Sequence, residues 1–300
     1  MDTKTNWRQV WENKSGETVS DFEVDRCRPL LDQEVEDRSE QELIDFIEPK
    51  NFETLLDAGC GTGINILRLH SRIRNIVGFD YAWGSLKRCQ QRIQAHSIRN
   101  ARLCMASVVA IPLPNRSVDK VLCLSVFQYL DDNAVRQALK EFVRVLAPGG
   151  AIILHIKNFW SFYWLTLLPV KKVKALLGMN PRIEHLRSFS WYVNELKGLG
   201  CTILDYDSFD LFMLDVIPQR FVPFVRRFEL RNHRSPFFRN TFTRRHGAEL
   251  MIKARVPVSR PESGRPENES NLRKHRTKHA RNFLFFSQIT GVSLCLELPE

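Results

Sequence analysis

From residue 54 onward the chain alternates short apolar or β-branched runs with stretches of helical period, the rhythm of βα repeats wound into a mostly parallel sheet. Strands are predicted at 54–58, 75–80, 102–107, 120–125 and 151–156, each a brief apolar run bounded by Gly, Asp, Asn or Pro. Between the last two, residues 131–146 set Val135, Leu139, Phe142, Val143 and Leu146 at helical spacing behind Asp131 and Asp132. Pro148-Gly149-Gly150 stops that helix. Upstream, Trp7 and Trp11 lie one helical turn apart and 41–47 reads as a short helix, so residues 1–49 form a lid or an edge cover. Downstream, a helix is expected at 191–199 and strands at 202–209 and 248–256. The domain proper is then 50–256, with inserts at about 158–188 and 210–245, and a basic, disordered tail at 257–300.

Composition narrows the class. With 43% hydrophobic residues among 300, a sizeable core is available and disorder throughout is excluded. No apolar stretch approaches the roughly 20 residues of a membrane-spanning helix, and no secretory signal is visible at Met1, so a cytoplasmic location is expected. Seven scattered cysteines without a Cys-x-x-Cys pair read as reduced core residues, and no metal site is expected. Charge is uneven: residues 1–150 carry 20 Lys and Arg against 21 Asp and Glu, whereas 151–300 carry 24 against 13, a net of +11. Such a second half suits nucleic acid, an anionic membrane surface or a phosphorylated substrate.

The densest chemical signal is Asp57-Ala58-Gly59-Cys60-Gly61-Thr62-Gly63, where an apolar strand turns into an amphipathic helix and backbone N–H groups can meet a ligand. A dinucleotide fingerprint would need its third glycine at Ile64, and no Gly-Lys-Ser/Thr follows, so hydride-transfer cofactors and triphosphates are disfavoured. Asp57, just ahead of the turn, repels a pyrophosphate but favours an ammonium-bearing ligand. Asp80 ends the next strand about 20 residues on, where a carboxylate accepts both hydroxyls of an adenosine ribose; its bland alternative is a helix N-cap. A nucleoside joined to an amino-acid cation describes S-adenosylmethionine.

Four blocks together, at 56–63, 77–80, 111–119 and 142–150, make the chain resemble class I S-adenosylmethionine-dependent methyltransferases, the broad group that includes quinone-biosynthesis and many small-molecule enzymes. The resemblance covers roughly 50–160 and more loosely extends to 256. It implies an α/β fold: a doubly wound, Rossmann-like, seven-stranded sheet with an antiparallel last strand, plus helical inserts. It also implies that Asp57, Gly59 and Gly61 surround the methionine part of the cofactor, with Gly63 opening the helix. Asp80 would hold the ribose, Tyr81 would border the adenine, Ser107 would stand where aspartate often meets the adenine amino group, and Val108 next to it would also belong to the cofactor site. Leu124 and Ser125 would face the sulfonium side.

Methyl transfer is an in-line displacement, and a general base is needed only for a protonated acceptor. His155, near the end of the fifth strand, and Tyr129, after the fourth, are the catalytic candidates; the bland reading of His155 is a satisfied sheet histidine. The fourth strand lacks an Asn/Asp-Pro-Pro-aromatic sequence, and no Pro-Cys signature is present, so nucleobases lose ground as acceptors. A small molecule, lipid-linked or anionic, leads. An RNA methyltransferase and a binding module without turnover are the alternatives. Two inserts carry the specificity expectation. Residues 158–170, with five aromatics ahead of Lys171, Lys172 and Lys174, close over an apolar substrate, rest on an anionic membrane or are an ordinary buried helix. The Arg- and Phe-rich 220–245 suits phosphate or single-stranded RNA or is a solvated basic face over a phenylalanine core.

Overall fold

The computed structural model describes residues 6–16, 33–161, 185–210, 219–232 and 241–258. Most of the aromatic insert, its lysines and the tail from 259 lie outside the described residues.

Strands β1 (Thr54–Ala58), β2 (Asn75–Asp80), β3 (Ala101–Met105), β4 (Val118–Leu124), β5 (Leu146–Lys157), β6 (Thr202–Asp210) and β7 (Glu249–Arg255) form one seven-stranded sheet in the order 3-2-1-4-5-7-6. All neighbours are parallel except β7, which runs antiparallel to β5 and to β6. The fold class expected from the sequence is thus the one observed. Successive side chains of each strand point to opposite faces, and both faces are dry. On one face Leu55, Leu122, Ile153 and Met251 meet helices α2 (Gln33–Ile47), α3 (Ile64–Leu69) and α4 (Trp83–Ala95). On the other, Leu56, Val121, Ile152 and Ile252 meet α5 (Asp132–Val145) and α6 (Phe189–Gly198).

Helix α5 forms where its periodicity places it. Asp131 caps it by accepting the Ala134 N–H at 2.9 Å, and Val135, Ala138, Leu139, Phe142 and Val145 are buried in one stripe. Phe142 stacks on Phe127 at 5.9 Å between ring centroids, and Phe127 stacks in turn on Tyr192 of α6 at 6.1 Å. This three-ring column pins the short turn after β4.

Several boundaries differ from the sequence expectation. Leu146 belongs to β5, not to the helix: the chain enters the sheet at once, pairing Leu146 with Val118, and Pro148-Gly149-Gly150 occupies an irregularity before Ala151 pairs with Lys120. Strand β3 ends at Met105, short of Ser107, and α2 is longer than the expected 41–47. At the other end of the strands from the glycine loop, Lys120 Nζ lies 2.9 Å from Glu53 Oε2 and donates to the carbonyls of Ile47 and Glu48, satisfying the end of α2. Burial lowers the Lys120 pKa, against the pull of Glu53.

If the aromatic column carries that turn, Phe142→Ala should destabilise the protein by about 3–5 kcal/mol, read from urea unfolding. A loss below about 1 kcal/mol would show that the site collapses freely instead.

Candidate active site

The strand order reverses between β1 and β4: β2 and β3 lie on one side of β1, and β4 begins the other half. Ligands bind α/β sheets in the crevice at such a reversal, at the carboxyl ends of the strands. Here that crevice is bounded by the 59–63 loop after β1 and by residues 125–130 after β4.

The loop is held by its own backbone. The Gly59 and Cys60 N–H groups both donate to the Phe79 carbonyl, at 2.8 and 2.9 Å, and the Gly63 N–H donates to the Cys60 carbonyl. Gly59 and Gly63 sit at φ +81° and +84°, which side chains rarely adopt. A Cβ on Gly59 would collide with Val126 Cγ2, and one on Gly63 would lie 2.5 Å from Cys89 Sγ. The loop therefore touches the turn after β4 on one side and α4 on the other.

Two carboxylates bracket it. Asp57 is only 1% exposed, between Gly78 of β2 and Leu122 of β4. Asp80 Oδ2 accepts the Gly61 N–H at 3.1 Å, and its Oδ1 accepts the Ala82 N–H at 2.9 Å. Both charges register on the thiol between them: Cys60 is held well above its usual pKa first by its hydrogen bond with Cys89, then by burial, then by Cys89 again, Asp57 and Asp80. Asp57 likewise adds to the effect of burial in raising Cys123. A carboxylate has lone pairs to spare after two backbone contacts, so Asp80 remains able to accept from a diol while fixed by the loop. A glycine cradle without room for Cβ atoms, a buried carboxylate at one end and a fixed one at the other fit the S-adenosylmethionine expected from the sequence.

The bland N-cap reading of Asp80 fails. Residue Ala82 occupies the cap of α4 and offers no side-chain bond. Helix α1 (Trp7–Ser15) supplies the cap: Glu12 accepts the N–H groups of Trp83 and Gly84 with its two oxygens, at 2.7 and 2.9 Å, and Arg88 Nε donates to the Ser15 carbonyl. Trp7 and Trp11 pack on the Tyr129 ring, with centroids 4.5 and 5.6 Å away. Tyr81 lies beneath the same helix; its phenol is pushed up to about 12, first by burial and then by Asp80, with Arg8 opposing and Glu12 adding. The first helix thus bridges the ends of β2 and β4 across the crevice, as a lid would.

On the β4 side, Ser125 adopts φ +57°, and its Oγ lies 2.8 Å from His155 Nδ1. His155 Nε2 lies 3.1 Å from Glu249 Oε2 at the start of β7. An ionised carboxylate only accepts, so Nε2–H donates to Glu249 and Nδ1 accepts the Ser125 hydroxyl when the ring is neutral. Both nitrogens are therefore engaged, as the bland reading expected, but by a chain that starts at the crevice.

Leu124 packs, partly buried, against the core on the α2–α4 face, and Val108 is buried in the core on the α5–α6 face. Ser107 sits in an exposed turn, its Oγ 3.4 Å from the Val109 N–H that it accepts. Gln128 is buried, with its Oε1 unmatched by any hydrogen-bond donor among the described residues.

Sequence reading missed Glu12, Glu249 and Arg187. Arg187 donates to Asp132 Oδ1 at 2.7 Å and to the carbonyls of Phe127 and Leu130 at 3.0 and 2.6 Å, with Trp191 stacked 5.1 Å from its guanidinium. It clamps the turn that carries Gln128 and Tyr129. No local signal marks these three residues, because each works on a partner more than 50 positions away.

Residues 55–150 match the family described as Methyltransferase domain. The chain is 30% identical over 179 residues to the ubiquinone/menaquinone biosynthesis C-methyltransferase of Campylobacter jejuni, covering 52% of this chain and 73% of that protein. It is 35% identical over 173 residues to the malonyl-[acyl-carrier protein] O-methyltransferase of Serratia marcescens, covering 51% and 65%. A relative in Mycolicibacterium smegmatis, named as a probable S-adenosylmethionine-dependent methyltransferase, is 32% identical; the chain spans only 39% of its length. Among solved structures, an S-adenosylmethionine dependent methyltransferase from Mesorhizobium loti shares the fold with a TM-score of 0.52 at 17% identity, over 74% of this chain and 99% of that one. The chain belongs to the class I S-adenosylmethionine-dependent methyltransferases.

Removing the carboxylate cap should loosen the lid. In Glu12→Gln, amide exchange at Trp83 and Gly84 is expected to quicken about tenfold, since a charged hydrogen bond contributes about 1.5–3 kcal/mol. Exchange rates equal to wild type would mean that α1 does not hold this end of α4.

Proposed function

We propose that this protein transfers a methyl group from S-adenosylmethionine to a small-molecule acceptor that is lipid-linked or anionic. The observation that carries the reading is the pair of carboxylates, Asp57 and Asp80, on adjacent strand ends either side of the glycine cradle. Bound there, the cofactor supplies an electrophilic methyl group on a sulfonium centre. In this reading Asp57 meets the α-ammonium group, with the backbone of Gly59 and Gly61 alongside the methionine portion and Gly63 opening α3. Asp80 receives the ribose hydroxyls. Tyr81, Val108 and Ser107 border the adenine, and Ser107, tied into its own turn, contributes the weaker contact. Leu124 and Ser125 line the sulfonium side, and α1 closes over them and excludes water.

His155 is the proposed base. An acceptor hydroxyl gives its proton to Ser125 Oγ as the serine proton passes to Nδ1, and Glu249 balances the imidazolium that results. Tyr129, gripped by Trp7 and Trp11, borders the acceptor. Two of the relatives act, by their names, in quinone biosynthesis and on a malonyl group carried by a protein, which supports a small acceptor over a nucleobase. The residues 1–49, 158–188 and 210–245 then act as lid and specificity elements around the 50–256 domain.

Calorimetry with S-adenosylhomocysteine should show binding that falls roughly 10–100-fold in Asp80→Ala and in Asp57→Ala, the scale of a lost charged hydrogen bond. Binding unchanged in both variants would refute the cofactor assignment. Incubating cell extract with deuterated donor should reveal a labelled product; His155→Ala should slow its formation by roughly 10²–10⁴ while leaving S-adenosylhomocysteine affinity intact. A wild-type protein that binds but labels nothing would instead be a binding module.

A further inference from the structure

Helix α7 (Val222–Asn232), preceded by the turn Gln219–Phe221, packs against α2 on the side of the sheet away from α5 and α6. Its outer side is unusual for a soluble surface. Phe221, Phe224 and Phe228 are 47%, 72% and 47% exposed, and they follow one another at three- and four-residue spacing, so all three project from one side over two turns. Arg220, Arg227 and Arg231 are exposed alongside them, and the Arg220 guanidinium lies 4.8 Å from the Phe221 ring. Residues 219–232 contain four arginines against a single acid, Glu229.

We propose that this helix docks the protein on an anionic phospholipid surface. Isolated exposed apolar side chains are ordinary, but three aligned phenylalanines flanked by cations are the pattern of a helix lying in the interface plane. The phenylalanines enter the boundary between headgroups and acyl chains. The arginines keep their stems against that boundary and set their guanidinium forks on lipid phosphates. Charge complementarity comes from the arginines here and from the net +11 of residues 151–300. Single-stranded RNA is the lesser fit: stacking platforms lay aromatic rings flat in a groove, whereas the most exposed ring here, Phe224, protrudes from a helix surface. The insert at 158–170, for which membrane contact is one expectation from the sequence, lies mostly outside the described residues.

The full-length protein should co-sediment with vesicles of equal parts phosphatidylcholine and phosphatidylglycerol, and not with phosphatidylcholine alone. Added salt should weaken that binding. Phe224→Asp combined with Phe228→Asp should reduce it roughly tenfold or more, as should Arg227→Glu combined with Arg231→Glu. Both positions are exposed, so unfolding is not expected; circular dichroism checks this, and Phe224→Gln with Phe228→Gln serves as a helix-compatible second pair. Folded variants that bind vesicles like wild type would overturn the proposal. So would a wild type that ignores anionic vesicles, and so would one that leaves them on addition of oligouridine, because the surface would then serve RNA.

Discussion

At the reversal point of the sheet, the chain leaving β1 must pass within contact distance of the chain leaving β4, and only a residue without a side chain fits between them. Gly59 is that residue, with Val126 filling the space a Cβ would need. In the same loop Gly59, Gly61 and Gly63 adopt positive φ, and the Gly59 and Cys60 N–H groups turn onto the Phe79 carbonyl. Everything chemical about the protein sits around this approach: the carboxylates on either side, the serine at the end of β4, and the helix that closes from above.

The arrangement costs free energy that the rest of the fold must offset. A carboxylate as buried as Asp57 is expensive unless a cation meets it; its field adds to the rise of the Cys60 thiol, after the Cys89 hydrogen bond and burial, and of the Cys123 thiol, after burial. Two packed faces and the Phe142-Phe127-Tyr192 column supply the compensating burial. The turn after β4 needs this most, since it carries both the tight glycine contact and the clamp of Arg187 on two of its carbonyls. Rigidity there, and a first helix hydrogen-bonded to α4 and packed on Tyr129, suit the proposed methyl transfer, which depends on alignment and exclusion of water.

Much of the site was legible in local sequence because its parts obey short-range rules. The glycines of 59–63 and the carboxylates Asp57 and Asp80 sit at fixed offsets from strand ends, and an apolar run followed by such a turn has few other uses. Helix α5 was legible for the same reason, its periodicity and its Asp131 cap both being local. Where rules competed, the local reading slipped. Pro148-Gly149-Gly150 reads as the stop of a helix ending at 146, yet pairing with β4 draws Leu146 into the sheet, and the cap of α4 comes from distant Glu12.

From the amino-acid order alone came the alternating sheet, the crevice at its reversal, the choice of an adenosyl sulfonium ligand over a dinucleotide, and the surplus of cations in the second half. Tertiary structure decided which distant groups share that crevice, Glu12 over α4, Glu249 behind His155 and Arg187 beneath the turn, and, away from it, that Phe221, Phe224 and Phe228 face outward. The division follows from range. Backbone conformation and amphipathic period are set within a few residues and leave a trace in local order, whereas a hydrogen bond between positions tens of residues apart exists only once the sheet has brought its strand ends together.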